Sequence, residues 1–206
     1  MTRTSIKHGA WGLLLSVILI SCTTAKPIME WRDPSYVGDP FENILIVGMS
    51  DQETVRRTFE NTFVNELQRY NVSAAASFAV MPTEVRPSEE SIKAIISDIK
   101  FDSVLVTHLV GVEEKEVYQP PTYGVAPYGG FYGYYGHVGS YIYEPGYYTR
   151  HERFKLETNL YDTQTEELVW SMQSETIDPS SEKALIEAKI KTVIEQLKQQ
   201  ELISVQ

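Results

Sequence analysis

The sequence has a single cysteine, Cys22, and so it cannot form an intramolecular disulfide. Histidine is also scarce, with four in 206 residues. No motif of a serine hydrolase, a zinc protease or a nucleotide-binding P-loop is present, and no apolar run reaches the ~20 residues that cross a bilayer. These absences exclude a disulfide-stabilised scaffold and the enzyme classes that carry such motifs. Packing alone must stabilise the core.

The sequence contains fewer basic than acidic residues. The chain has 18 Lys and Arg against 28 Asp and Glu, for a formal net charge of −10 at pH 7. A net negative charge disfavours binding to nucleic acid or to anionic lipid headgroups. The sequence therefore predicts no nucleic-acid partner.

The N-terminus has the three parts of a secretory signal peptide. Arg3 and Lys7 supply the positive charge, residues 10–20 form an apolar run, and a small residue, Ser21, precedes Cys22. A plain signal peptide or an uncleaved apolar anchor are the alternatives that this pattern leaves open.

Residues 19–22, Leu-Ile-Ser-Cys, resemble the bacterial lipobox. The resemblance implies acylation of the Cys22 thiol, with palmitate among the fatty acids, and cleavage before it. Several acyl chains on one residue give stable membrane anchoring. Thr23 follows the cysteine, and in enteric-type bacteria a residue other than aspartate there favours the outer membrane. We therefore predict a signal peptide over residues 1–21 and a lipidated tether over 22–40.

The remaining residues, 41–203, are predicted to form one mixed α/β domain in the order β-α-β-α-β-β-β-α. Its single mixed sheet would have five strands, with three helices. Apolar runs and strict alternation place the strands at residues 43–49, 72–81, 103–112, 153–162 and 167–176. The helices are predicted at residues 51–70, from 88 onward and from 178 onward. The βαβ order predicts parallel pairing of the first three strands, and the last two form a hairpin.

Polar residues in the first helix suggest two local features. Ser50 and Glu53 match a capping box at its N-terminus. Five charged side chains are predicted to form a solvated face opposite the apolar stripe: Arg56, Arg57, Glu60, Glu66 and Arg69. In the final hairpin, Trp170 points inward, and its indole N–H then needs one acceptor.

Residues 118–148 differ in composition from the rest of the chain. They contain ten of the thirteen tyrosines, seven glycines and four prolines. This segment has too few aliphatic residues for a core of its own, and we predict a long loop or protruding hairpin between strands three and four.

Tyrosine offers a flat apolar ring and a hydroxyl at low rotamer cost, as in binding loops. This favours a partner-binding surface for an envelope protein or for peptidoglycan. The predicted contact residues are Tyr132, Tyr134, Tyr135, Tyr141 and Tyr143. The alternative is a low-complexity loop that binds nothing.

The sequence offers few candidates for catalysis. His108 falls in a strand predicted to be buried, whereas His137 and His151 flank the end of the tyrosine-rich loop, near Glu144 and Glu152. Neighbouring acids such as Glu113 and Glu114 point to opposite faces of a strand. Ser171 and Ser174 have no partnering histidine. We therefore predict no catalytic residue, no metal ligand and no cofactor beyond the lipid on Cys22.

Three stretches carry a family resemblance: WRDPSYVGDPFENILIVGMSDQETVRRTFENTFVNELQRYNVSA, the Gly/Tyr-rich middle, and ETNLYDTQTEELVWSMQSETIDP. They resemble a family of small bacterial envelope lipoproteins of unestablished function. The implied fold is similar to the N-terminal domain of the Tol–Pal propeller protein. Penicillin-binding-protein activator lipoproteins and the curli secretion lipoprotein look distantly similar. These relatives are partner-binding modules.

The sequence thus favours a lipid-anchored, non-enzymatic binding module that faces the periplasm. A structural subunit of a larger envelope assembly and an envelope hydrolase are the alternatives.

Overall fold

The computed structural model describes residues 23–80, 89–119, 130, 132–136 and 146–204. In these ranges six strands form one sheet: β1 Ala25–Arg32, β2 Asn43–Met49, β3 Ser73–Ala76, β4 Ser103–Gln119, β5 Tyr147–Asp162 and β6 Leu168–Ile177. Five helices accompany them: α1 Glu53–Gln68, α2 Ser77–Val80, α3 Glu89–Ile99, the turn α4 over residues 132–136, and α5 Glu182–Gln199.

The strand order across the sheet is β1-β6-β5-β4-β2-β3. β2 pairs in parallel with β3 and with β4, and every other pair is antiparallel. The predicted parallel pairing and the predicted β5–β6 hairpin are confirmed. Asp162 closes the hairpin turn, because its Oδ1 accepts hydrogen bonds from the backbone N–H groups of Gln164 (2.7 Å) and Thr165 (2.9 Å).

Two layers of helices bury the two faces of β2. Ile44 and Ile46 point into the larger cluster, beneath α1 and α5, whereas Leu45 and Val47 point into a smaller cluster beneath α3. The larger cluster includes Phe63, Leu67, Leu105, Leu160, Trp170, Met172, Ile190, Val193 and Leu197. Burying each such side chain contributes about 1.5–3 kcal/mol, which makes this cluster the main source of stability.

The predicted five-stranded sheet with three helices is wrong, although the mixed α/β class holds. The sixth strand is β1, within residues 22–40, which the sequence predicts as a tether. It pairs antiparallel with β6 at the sheet edge and contains a bulge between Pro27 and Met29. Most of β1 is exposed, so its sequence shows no alternation of apolar and polar residues.

The two additional helices are short. The strand predicted over residues 72–81 ends at Ala76, and the chain turns into α2. The reason is local: the backbone N–H of Phe78 donates to the Glu60 carboxylate (3.0 Å) rather than to a neighbouring strand. The other helix is α4, inside the tyrosine-rich segment.

The predicted capping box at Ser50 and Glu53 is also wrong. The N-cap of α1 is Gln52, which makes no side-chain cap hydrogen bond. Ser50 Oγ instead accepts from the Gln52 N–H (3.1 Å), and the Glu53 carboxylate pairs with Arg57 (2.7 Å).

Trp170 has no solvent exposure, as the inward orientation predicted. Its indole Nε1–H donates to Glu30 Oε1 at 2.8 Å. Because Glu30 belongs to β1, this hydrogen bond connects the edge strand to the core.

Candidate functional site

The longest strands, β4 and β5, extend beyond their neighbours. β2 pairs with β4 only as far as His108, and β6 pairs with β5 only as far as Arg153. From the pair Glu114–Glu152 to the pair Gln119–Tyr147, six residue pairs therefore have no strand on either side in the described part of the chain. We call this segment, residues 114–119 with 147–152, the ribbon.

Charged side chains of opposite sign face each other along the ribbon and at its base. Arg150 lies 3.1 Å from Glu116 and 3.7 Å from Glu114. At the base, Lys155 lies 2.6 Å from Glu113, and this ion pair holds the pKa of the Glu113 carboxyl below its usual range. Exposed pairs are each worth little, but a two-stranded hairpin alone is marginal. These cross-strand ion pairs, of which Arg150–Glu116 is in register and the other two are diagonal, therefore favour the extended ribbon.

Asp178 attaches the ribbon to the turn before α5. Its Oδ1 accepts from the Glu152 N–H (2.8 Å), and its own N–H donates to the Glu152 carbonyl (2.9 Å). Its second carboxylate oxygen contacts His151 Nδ1. The hydrogen bonds from His151 and from the Glu152 backbone lower the pKa of Asp178 below its usual range. His151 is thus engaged in a structural contact.

Three tyrosines form the outer end of the ribbon, and we call them the tyrosine tip: Tyr118, Tyr147 and Tyr148. They are 50%, 66% and 68% exposed. The rings of Tyr118 and Tyr148 are tilted, with their centroids 5.2 Å apart. Gly146 is required beside them, because a Cβ there would lie 2.5 Å from the Gln119 carbonyl oxygen. The tip presents large aromatic surfaces to solvent.

Three of the five predicted contact tyrosines lie on α4. Tyr132, Tyr134 and Tyr135 are 87%, 52% and 67% exposed. Tyr141 and Tyr143 lie outside the described residues. The three residues of the tyrosine tip are not among the contact residues predicted from the sequence. The signal that could have located it is the match between the run EEKE at 113–116 and the run RHER at 150–153, which predicts an antiparallel ribbon.

A cleft of about 710 Å³ lies at the base of the ribbon, between the N-terminal ends of α1 and α5. Its apolar wall includes Val55, Phe59, Leu109, Phe154 and Leu185. Acidic side chains of Asp51, Glu152 and Glu182 also line it. The cleft has room for an apolar group.

Beside the cleft, a fully buried carboxylate organises the N-terminal half of α1. Glu60 Oε1 accepts from the Gly48 N–H (2.9 Å), Arg56 Nε (3.1 Å) and Ser77 Oγ (2.7 Å). Glu60 is 0% and Arg56 5% exposed, so the predicted solvated face is wrong at these two positions. Their burial fixes Arg56 at the edge of the cleft.

A second buried charge lies on α5. Lys189 has no solvent exposure, and its Nζ donates to the Leu156 carbonyl (3.3 Å) and to Ser174 Oγ. Burial lowers the pKa of Lys189 to about 7, against a smaller opposing effect of Glu157. Ser174 is only 1% exposed. The pair resembles a serine–lysine dyad in composition, but its burial denies access to a substrate.

His108 is only partly buried, so its predicted core position is wrong. It lines the cleft and pairs in register with Glu157. The Glu157 oxygens accept from Asn159 Nδ2 (3.0 Å) and Gln173 Nε2 (2.8 Å), and these hydrogen bonds lower the pKa of Glu157. These two hydrogen bonds hold the Glu157 carboxylate in a fixed orientation.

Metal binding finds no support in the described ranges, where no three His, Cys, Asp or Glu side chains converge. His137 and Glu144 lie outside them. None of the helices in those ranges has the length and apolarity of a membrane crossing.

No protein-family profile matches the sequence, and no curated protein matches it. Solved structures similar to the chain at low identity include a PelC dodecamer from Paraburkholderia phytofirmans, at 10% identity and a TM-score of 0.46, covering 89% of this chain and 100% of that chain. Another is lipoprotein GNA1162 from Neisseria meningitidis, at 14% identity and a TM-score of 0.39, covering 76% and 98%. Since these TM-scores are below 0.5, the likenesses carry no functional conclusion.

Proposed function

We propose that the protein is a lipid-anchored, non-enzymatic binding module of the bacterial cell envelope. Its anchor is the acylated Cys22, in the outer membrane and facing the periplasm, and its binding element is the tyrosine tip on the ribbon. The observation that carries the proposal is the ribbon itself. Six residue pairs project past both neighbouring strands and end in three exposed aromatic side chains.

The burial of the serine–lysine pair supports a non-enzymatic function. Ser174 is 1% exposed and Lys189 has no exposure, so neither side chain is accessible to a substrate. Exposed tyrosines, by contrast, suit recognition, because each supplies contact area and a hydrogen-bonding hydroxyl.

Photo-crosslinking in intact cells tests the binding element. A photoreactive phenylalanine derivative at position 148 of the full chain is expected to form adducts with an envelope molecule, whether protein, glycan or lipid. The same derivative at Gln164, which is exposed in the β5–β6 turn at the opposite end of the sheet, is the matched control. Equal adduct yields at the two positions would contradict a binding role for the tip.

A further inference from the structure

The register of the sheet places the start of β1 level with the base of the ribbon. Ala25 pairs with Thr176, Thr176 with Phe154, and Phe154 with Val112. These four residues form one row across four strands. β1 is antiparallel to β6 and β6 is antiparallel to β5. The chain before Ala25 therefore leaves the sheet at the end from which the ribbon projects.

The tyrosine tip and the lipid anchor can be compared by their distances from this row along the strand direction. The Tyr118–Tyr148 pair lies six residue pairs beyond the row, about 20 Å at the usual rise of a strand. Cys22 precedes Ala25 by three residues, which span at most about 11 Å when fully extended. When the strands stand upright on the bilayer, the tip therefore reaches the surface in which the lipid of Cys22 is embedded.

The composition changes sharply where the ribbon would meet that surface. Residues 113–116 and 150–155 contain eight charged residues in ten positions, whereas residues 117–149 contain one, Glu144. Tyrosine is enriched at membrane–water interfaces, where its ring lies among apolar groups and its hydroxyl stays hydrated. An uncharged aromatic tip avoids the repulsion that the acidic chain as a whole would have from an anionic surface.

We propose that the tyrosine tip contacts the headgroup interface of the phospholipid bilayer that holds the lipid on Cys22. This inference rests on the proposed lipid anchor and names the partner of the same binding element. Anchor and tip together form two attachments at one end of the sheet, so that the domain stands in a fixed orientation on the membrane.

Quenching of tryptophan fluorescence by brominated lipid tests the contact. The mature lipidated protein carrying Y148W is reconstituted in phosphatidylcholine vesicles with brominated or unbrominated acyl chains. We expect a loss of its emission in brominated vesicles. Q164W is the matched control, and no added quenching is expected there. The native Trp31 lies about 36 Å from the tip along the strand direction, as counted from the register of the strands. Trp170 is buried. We expect the brominated lipid to quench neither of these two tryptophans.

The outcomes separate the inference from the proposed function. If the protein floats with the vesicles but Y148W is quenched no more than Q164W, the bilayer contact is wrong and the lipid anchor is retained. The tyrosine tip would then bind a protein or a glycan. If the full-length protein purified from cells carries no lipid on Cys22 and does not float with vesicles, both the lipid anchor and the bilayer contact are wrong. Quenching of Y148W alone supports the inference.

Discussion

Replacing Glu60 by alanine is expected to lower the free energy of unfolding by about 3–5 kcal/mol. The substitution removes the buried carboxylate partner of the Arg56 guanidinium and leaves it only the exposed Glu53 carboxylate at 3.4 Å. It also removes the acceptor of the Gly48 and Phe78 backbone N–H groups. Urea unfolding followed through the fluorescence of Trp170 measures the change.

Glu66→Ala on the same helix is the matched control. Glu66 pairs with Arg69 at 2.8 Å, but the Arg69 side chain is 71% exposed. Loss of such a surface pair costs about 1 kcal/mol or less. If Glu60→Ala were as mild as Glu66→Ala, the buried carboxylate would not organise α1, β2 and α2 as described.

The second large effect concerns Lys189 and pH. The folded protein has its Lys189 pKa lowered to about 7 by burial, whereas in the unfolded chain the pKa is about 10.4. Between these values the unfolded chain binds a proton that the folded chain lacks. The free energy of unfolding therefore rises with pH from about 7, by up to about 1.4 kcal/mol per pH unit. As pH falls toward 7, this stability is lost.

Unfolding experiments from pH 7 to pH 9 in the wild type, Lys189→Met and Lys191→Met measure this dependence. Lys191 is exposed on the same helix. The rise is expected to persist in Lys191→Met and to disappear in Lys189→Met. A rise that is unchanged in Lys189→Met would show that another group binds the proton.

Residues with strong periodicity made much of the fold predictable. The continuous apolar run of β2, the stripes of α1 and α5, and the alternation in β5 are each set by burial on a fixed face. β2, α1 and α5 lie close to their predicted positions, whereas β5 begins at Tyr147, six residues before its predicted start. The parallel pairing followed from their order, since a strand–helix–strand crossover leaves few arrangements.

Edge strands and buried charges were not predictable in the same way. β1 has no alternating pattern because most of its side chains are exposed, and Pro27 resembles a linker residue. The burial of Arg56 and Glu60 depends on α2, which follows a strand that ends earlier than its sequence indicates. For Lys189 the sequence does contain a signal, since it lies three or four residues from the apolar Leu185, Ile186 and Val193 of α5.

For the candidate site, sequence composition identified the segment but not its geometry. The tyrosine content of residues 118–148 predicted a binding surface, whereas the ribbon that carries it follows from cross-strand charge pairing at residues 113–116 and 150–155. The tip and the N-terminus of the domain lie at the same end of the sheet. This follows only from the register of four strands. No local pattern contains this information.

Mass spectrometry of the protein extracted from cell membranes tests the lipid anchor most directly. We expect a mature chain that begins at Cys22, with residues 1–21 removed and acyl groups on that cysteine. Cys22→Ala, expected to leave the membrane fraction, is the accompanying control. An unmodified Cys22, or a chain that retains residues 1–21, would contradict both the anchor and the orientation that it imposes on the tyrosine tip.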